Sequence, residues 1–429
     1  MNKKLAGFLA AALCAVTSAA SAAPPPIDIG EAVQLTLKDN AALRSLRQEL
    51  VKAQAFKLQA DGTLLPSVSA GGTIDTQREP QTTDGSDRSG SRSANATLEQ
   101  VIYSGGKNSA QRAQSPQVKT IAEMAVADGE NSAVGELYAR FYDVLLKKKQ
   151  IEAELDAVAT SELHLRQVTQ MAELGLANKL EVIRAGQQLA TNTANLATAR
   201  GLHETSVISL MNYMAIEPQQ RREVVGELYE PAISGDRMES LALAEKFRAD
   251  RLQLQEQLRY QENQIKIERS GMLPKVTAGL SSGWSNPYRQ QDRSSDSWRA
   301  EVSLAVPIFD RNVTRSAVIS ARAVREQDQI ALEQKTLDIK SEVETAWSDI
   351  ETSLRSLRAS EKALELAKET LRLAEVGYRE GVTPQLDLLD AQSSLTLAQL
   401  EYNRAQYSHL IAVVALKVTE GTVIQWNGK

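Results

Sequence analysis

Residues 64–71 read LLPSVSAG, and residues 272–279 read MLPKVTAG, an offset of 208. Residues 98–103 (LEQVIY) recur as 304–309 (LAVPIF), and residues 174–182 (LGLANKLEV) recur as 380–388 (EGVTPQLDL), both at an offset of 206. Three matches in the same order and at nearly constant spacing divide the mature chain into two tandem copies of one unit, residues 23–235 and 236–429.

Each copy has the same plan. It opens on a helix, 29–61 in the first and 238–271 in the second. Two short alternating stretches follow, read as strands over 67–75 and 93–103, then over 275–284 and 298–309. The loops between them, 77–92 and 285–297, are rich in Ser and Asp, the first also in Gly, a solvated composition. A long helical run follows, 116–174 and then 315–380. In the second, Ile339, Val343, Ala346, Ile350, Leu354, Leu357, Leu364, Ala367, Leu371, Ala374 and Tyr378 fall at spacings of three, four or seven, a coiled-coil stripe. Such a helix is about 100 Å long at 1.5 Å per residue. Gly175 and Gly381 end the two runs, because glycine takes the left-handed conformation that closes a helix. The chain then restarts. Asn178 is placed to cap the return helix 179–215, with Glu181 as its reciprocal partner. Thr383 is placed to cap the return helix 384–418, with Pro384 at its first position. Each copy therefore carries an extended antiparallel hairpin with a tight tip.

The N-terminus reads as a secretory signal. Lys3 and Lys4 precede an apolar run over 5–16, and Ala20-Ser21-Ala22 offers small residues for cleavage after Ala22. Cys14 lies inside that segment, so the mature chain offers no disulfide or thiolate chemistry. A formal net charge of −5 gives no basic patch for nucleic acid, and only 4% of residues are aromatic, low for a compact core. The three histidines, His164, His203 and His409, fall in helices without a second ligand at useful spacing, so no metal site is expected. No phosphate loop, HExxH or G-x-S-x-G pattern occurs, and no cofactor or catalytic activity is expected. Gly105-Gly106 reads as a strand-to-helix bend.

Four strands are too few to close a barrel in lipid, where barrels begin at about eight. If they lie in a membrane, subunits must pool them. The repeat, the hairpin tips and the strand ending 306–310 (VPIFD) together resemble the TolC family of outer-membrane efflux and secretion proteins; residues 378–392 (YREGVTPQLDLLDAQ) are the most specific element. The resemblance spans the mature chain. It implies an α+β membrane protein in which long antiparallel coiled-coil helices form a periplasmic α-barrel. Four transmembrane strands per subunit would make a 12-stranded barrel in a homotrimer. It further implies outer-membrane lipid around the barrel and a tunnel reaching into the periplasm. The hairpin tips at Gly175, Asn178, Gly381, Thr383 and Pro384 would dock a periplasmic adaptor (membrane fusion) protein, served by an inner-membrane pump of RND or ABC type.

By motif position the resemblance places the periplasmic gate on Asp387 and Asp390, two carboxylates one turn apart on one helix face. It places a latch between Tyr378 and Glu181. A second, basic latch of the family has no counterpart, since Thr383 and Leu180 occupy its positions. A gate that is looser, or held mainly by the aspartate ring, is therefore expected. The competing reading is a soluble periplasmic coiled-coil adaptor or scaffold. The duplication and the paired, loop-bounded strands disfavour it.

Overall fold

The computed structural model describes residues 25–77, 89–233, 235–287 and 294–426. Residues 1–22, read as a secretory signal, lie with Cys14 outside the described residues.

Helices α1 (Ile29–Asp39) and α2 (Ala41–Gly62) divide the single helix expected over 29–61. Asn40 makes the break. Its N–H still donates to the Thr36 carbonyl at 3.1 Å, while its side-chain oxygen accepts from Ala42 N and Leu43 N at 3.0 and 3.3 Å. Such a cap contributes about 1 kcal/mol. The second copy breaks at the equivalent place, Arg248, so the helix expected over 238–271 is α5 (Arg237–Phe247) and α6 (Ala249–Arg269). Arg248 offers no cap; its guanidinium instead pairs with Asp250 at 2.7 Å and with Glu342.

The strands β1 (Ser67–Gln77), β2 (Ser89–Ser104), β3 (Lys275–Pro287) and β4 (Ser295–Ala305) form one antiparallel sheet in the order β1-β2-β3-β4. β2 and β3 extend beyond the expected 93–103 and 275–284, so both loops are shorter than 77–92 and 285–297. β4 does not reach residue 309; it stops at Ala305, before Pro307, which has no N–H to donate. A bulge between Val101 and Tyr103 shifts the β2–β3 register at the helical end of the sheet.

The chain leaves the sheet through Gly105 and Gly106, at φ +64° and +84°, and in the second copy through Arg311 and Asn312, at φ 58° and 65°. At Gly105 a Cβ would lie 2.7 Å from Leu273 Cβ, so no side chain fits there. The long helices α3 (Lys107–Glu173) and α7 (Val313–Arg379) start at these bends and have 67 residues each. α3 thus begins nine residues before the expected 116, with Pro116 inside it. The buried side of α7 holds Ile339, Val343, Ala346, Ile350, Leu357 and Leu364, the stripe read from the sequence, together with Ser353. The return helices are α4 (Lys179–Tyr213) and α8 (Gln385–Glu420). α3 packs against both α4 and α8, and α8 against α7, giving the lateral order α4–α3–α8–α7.

The main apolar core lies where α1, α3, α4 and α8 meet. Leu137, Phe141, Leu145, Leu210, Met214, Leu410 and Val414 fill it, closed by the parallel bridge between Ile27 and Val224. Burial of Leu137 or Phe141 contributes about 1.5–3 kcal/mol each. Below this core the helices run to the tips with a thinner, more polar seam.

Candidate functional site: a two-faced sheet and the hairpin tips

The register gives the sheet two unlike faces. Val68, Leu98, Leu280 and Ala300 lie in one row, and Ala70, Ala96, Ser282 and Trp298 in the next. With Ile74, Val276, Ala278, Val302 and Leu304 these rows make a largely apolar face, interrupted by Gln100 beside Ala278 and by Arg92 beside Ile74. The alternate rows are polar: Ser67, Glu99, Gly279 and Glu301, then Ser69, Thr97, Ser281 and Arg299. The apolar face packs on nothing; Val68, Ile74 and Val302 are each 75% exposed and Trp298 77%. A patch of this extent has to be covered. From Val276 to Trp284 it runs about 27 Å along a strand at 3.4 Å per residue, or about 21 Å vertically at a 40° tilt. That is close to the roughly 25 Å apolar band of an outer-membrane barrel. Trp284 and Trp298 sit toward its far end, where aromatic side chains form membrane-interface belts. β1 and β4 are the edges of the sheet, each paired on one side alone. Among the described residues no helix is long and apolar enough to cross a membrane.

The two tips are closed alike. Gly175 and Gly381 are left-handed, at φ +76° and +72°. Leu176 N donates to the Met171 carbonyl and Val382 N to the Gly377 carbonyl, both at 2.8 Å. Asn178 caps α4 as expected: its side-chain oxygen accepts from Glu181 N at 3.0 Å, and its amide donates to the Glu181 carboxylate at 2.9 Å. Thr383 does not cap α8. Pro384 is the N-cap, with no side-chain cap hydrogen bond. The Thr383 hydroxyl lies instead against Gly377, where a Cβ would collide with it, and its N–H donates to the Gly377 carbonyl at 3.0 Å.

Asp387 and Asp390 are both exposed on α8, while Leu388, Leu389 and Ala391 on the same turns are buried. The two carboxylates therefore face away from the packed side of the hairpin. Tyr378 and Glu181 come near one another without a hydrogen bond. The Tyr378 hydroxyl is buried with no partner, and the Glu181 carboxylate is engaged by Asn178. Burial, and secondarily the nearby Glu181 charge, pushes the Tyr378 hydroxyl up. The ring of Tyr378 meets that of His164 edge-on at 5.6 Å.

Gln385, which the sequence reading passed over, joins the hairpins here. It is buried, and its Nε2 donates to the Glu181 carbonyl at 2.9 Å and to His164 Nε2 at 3.2 Å. One side chain of α8 thus bonds both α3 and α4, with Tyr378 of α7 beside it. His164 must be neutral at Nε2 to accept, and burial lowers its pKa in that direction. The equivalent first-copy position is Lys179, so the repeat gave no hint of this role. His409 is also buried, with Nδ1 3.1 Å from Ser353 Oγ. No group of His, Cys, Asp or Glu that could hold a metal ion occurs among the described residues.

The family model described as outer membrane efflux protein matches twice, over residues 32–215 and 241–422. The chain belongs to the outer membrane efflux protein family. It is similar to the pyoverdine export outer membrane protein OpmQ of Pseudomonas putida, 24% identical over 409 residues, covering 92% of this chain and 85% of OpmQ. Among solved structures it resembles a membrane protein from Pseudomonas aeruginosa, with a TM-score of 0.77 at 20% identity over 91% of this chain and 92% of the other. The Campylobacter jejuni CmeC outer membrane channel gives 0.77 at 15% identity, over 92% and 86%. These likenesses are of fold: long helices joined to a four-stranded sheet. As an outer membrane efflux protein, the chain is an efflux exit duct resident in the outer membrane, and the soluble adaptor reading is set aside. Members of the family are channels rather than enzymes.

Proposed function

We propose that three copies of the chain form the duct. The observation that carries this is the sheet, with one bare apolar face, one polar face and two unpaired edges. Hydrocarbon does not tolerate open edges. Joining β4 of one copy to β1 of the next removes every edge, and three copies give twelve strands. The polar rows then line the lumen and the apolar rows meet lipid. The tandem units 23–235 and 236–429 supply alternate hairpins of the tunnel wall, after removal of residues 1–22. The hairpin tips would receive a periplasmic adaptor, with an inner-membrane pump of RND or ABC type supplying the energy.

The tips form the gate in this reading. Asp387 and Asp390 lie exposed on one face of α8, and three copies would bring six carboxylates together, a ring that favours cations. Closure rests on the ring and on the Gln385 contacts, in place of a basic latch or a Tyr378–Glu181 hydrogen bond. Single-channel recording tests the assignment. Asp387→Ala with Asp390→Ala should raise conductance and abolish block by multivalent cations; unchanged conductance and unchanged cation sensitivity would remove the two aspartates from the gate.

A further inference from the structure

The seam between the two hairpins is pinned at its ends and open between them. At the upper end the Tyr407 hydroxyl donates to the Ala139 carbonyl at 3.3 Å, and at the tip Gln385 makes its two bonds. Among the described residues no hydrogen bond crosses the seam in the interval. There α3, α4, α7 and α8 surround a cavity of about 620 Å³. Leu371 and Leu400 make part of its wall apolar. Asn192 and Ser161 line it too, but are satisfied: Asn192 Nδ2 donates to Ser161 Oγ at 2.6 Å and to the Ala157 carbonyl at 3.2 Å.

Glu154 is not satisfied. It stands on α3, is 7% exposed and is one of the residues lining the cavity, and its buried Oε2 has no hydrogen-bond partner. No described Lys or Arg pairs with it, although Lys368 also lines the cavity. Across the seam, on α8, Gln392 Oε1 is likewise buried, unpartnered and part of the lining. Two lining residues from opposite hairpins, one of them ionisable, thus each keep a buried acceptor without a hydrogen-bond donor. Buried acceptors without donors are unfavourable. Burial pushes the Glu154 carboxyl up, and a cation beside it would hold it ionised.

We propose that this cavity is a binding site for a small amphipathic organic cation, an amidinium or primary ammonium on an apolar body. Its N–H groups donate to Glu154 Oε2 on the first hairpin and Gln392 Oε1 on the second, and its body lies against Leu371 and Leu400. A planar amidinium matches a carboxylate in bidentate fashion. The volume falls within the range of about 300–1,000 Å³ usual for small-molecule sites. Because the ligand touches both hairpins, occupancy ties them together. Its effect on conductance rests on the tips being the gate; its binding does not.

Calorimetric titration of benzamidine into the purified full-length oligomer in detergent tests the site, with benzamide as the uncharged control. Saturable binding of benzamidine is expected, with benzamide weaker by about tenfold or more. Glu154→Gln should weaken benzamidine by about tenfold, and Gln392→Leu by several-fold, whereas Asp156→Asn at the exposed rim should change it by less than about threefold. Equal affinity for benzamidine and benzamide, or unchanged affinity in both Glu154→Gln and Gln392→Leu, overturns the proposal. Channel recording with benzamidine present is the separate arm. Lowered conductance supports the tie between hairpins; binding without any change in conductance keeps the site and counts against the gate.

Discussion

Replacing Gln385 by Leu removes both hydrogen bonds that join the hairpins at their tips while keeping the volume of the side chain. The bond to the Glu181 carbonyl is short, at 2.9 Å, and the one to His164 Nε2 longer, at 3.2 Å. Each contributes about 0.5–1.5 kcal/mol net, so the loss is about 1–3 kcal/mol per subunit. Gln385 Oε1 is buried without a partner, and removing it returns about 1 kcal/mol. Docking of the second hairpin should therefore weaken by about 1 kcal/mol on these central values, and by up to about 2, or about 5-fold and up to about 30-fold in the open-to-closed ratio of each subunit. Single-channel recording in planar bilayers reads this as a larger or more often open conductance. Leu386→Ala is the control: its side chain is half exposed in the same turn and makes no bond across the seam. If Gln385→Leu conducts as wild type while its oligomer is intact, the tip contacts do not hold the duct closed.

The two faces of the sheet should respond oppositely to charge. Val302→Arg places a cation on the apolar face and should cost about 2–4 kcal/mol in lipid, lowering the amount of heat-modifiable oligomer in outer-membrane fractions. Ser303→Arg, one residue on and facing the polar side, should assemble near wild-type levels. Acidification should loosen the tips through His164. Its pKa is lowered by burial in the docked state, so the docked tip is favoured above about 6.5, the unperturbed histidine value, and disfavoured as pH falls from there toward the lowered value. Glu181 and Tyr378 also lie at the node; the Tyr378 hydroxyl, pushed up by burial, stays protonated between pH 7 and 6. Open probability should rise over that interval in wild type and stay flat in His164→Gln.

Much of this architecture was legible because it rests on period and repetition. The stripe from Ile339 to Leu364 requires a partner helix at every turn, and Gly175 and Gly381 mark where the backbone must go left-handed. The break at Asn40 also had a local signal, an Asx cap before Ala-Ala-Leu. Its counterpart at Arg248 had no cap residue to read; the guanidinium instead pairs with nearby Asp250 and with Glu342, 94 residues away. β4 stops short of Phe309, before Pro307, which has no N–H to donate, a constraint to which the match of LEQVIY with LAVPIF gives no weight. Thr383 looked like a cap by residue type; the space beside Gly377 took it instead. Gln385 was invisible for a different reason. A glutamine in the first turn of a helix is usually solvated, and only the approach of α3 and α4 makes it a bridge. The unpartnered oxygens of Glu154 and Gln392 depend in the same way on where four helices happen to leave space.

Pairing of β4 with β1 between copies can be trapped directly. The sequence has one cysteine, Cys14, in the segment proposed to be removed, so Ser69→Cys on β1 can be combined in turn with cysteine at Ser297, Arg299, Glu301 or Ser303 on β4, all on the polar face. Oxidation in the outer membrane should give, for at least one pair, a covalent ladder that ends at three subunits. No inter-subunit crosslink with any pair, or a ladder that ends at two, would contradict the trimeric duct.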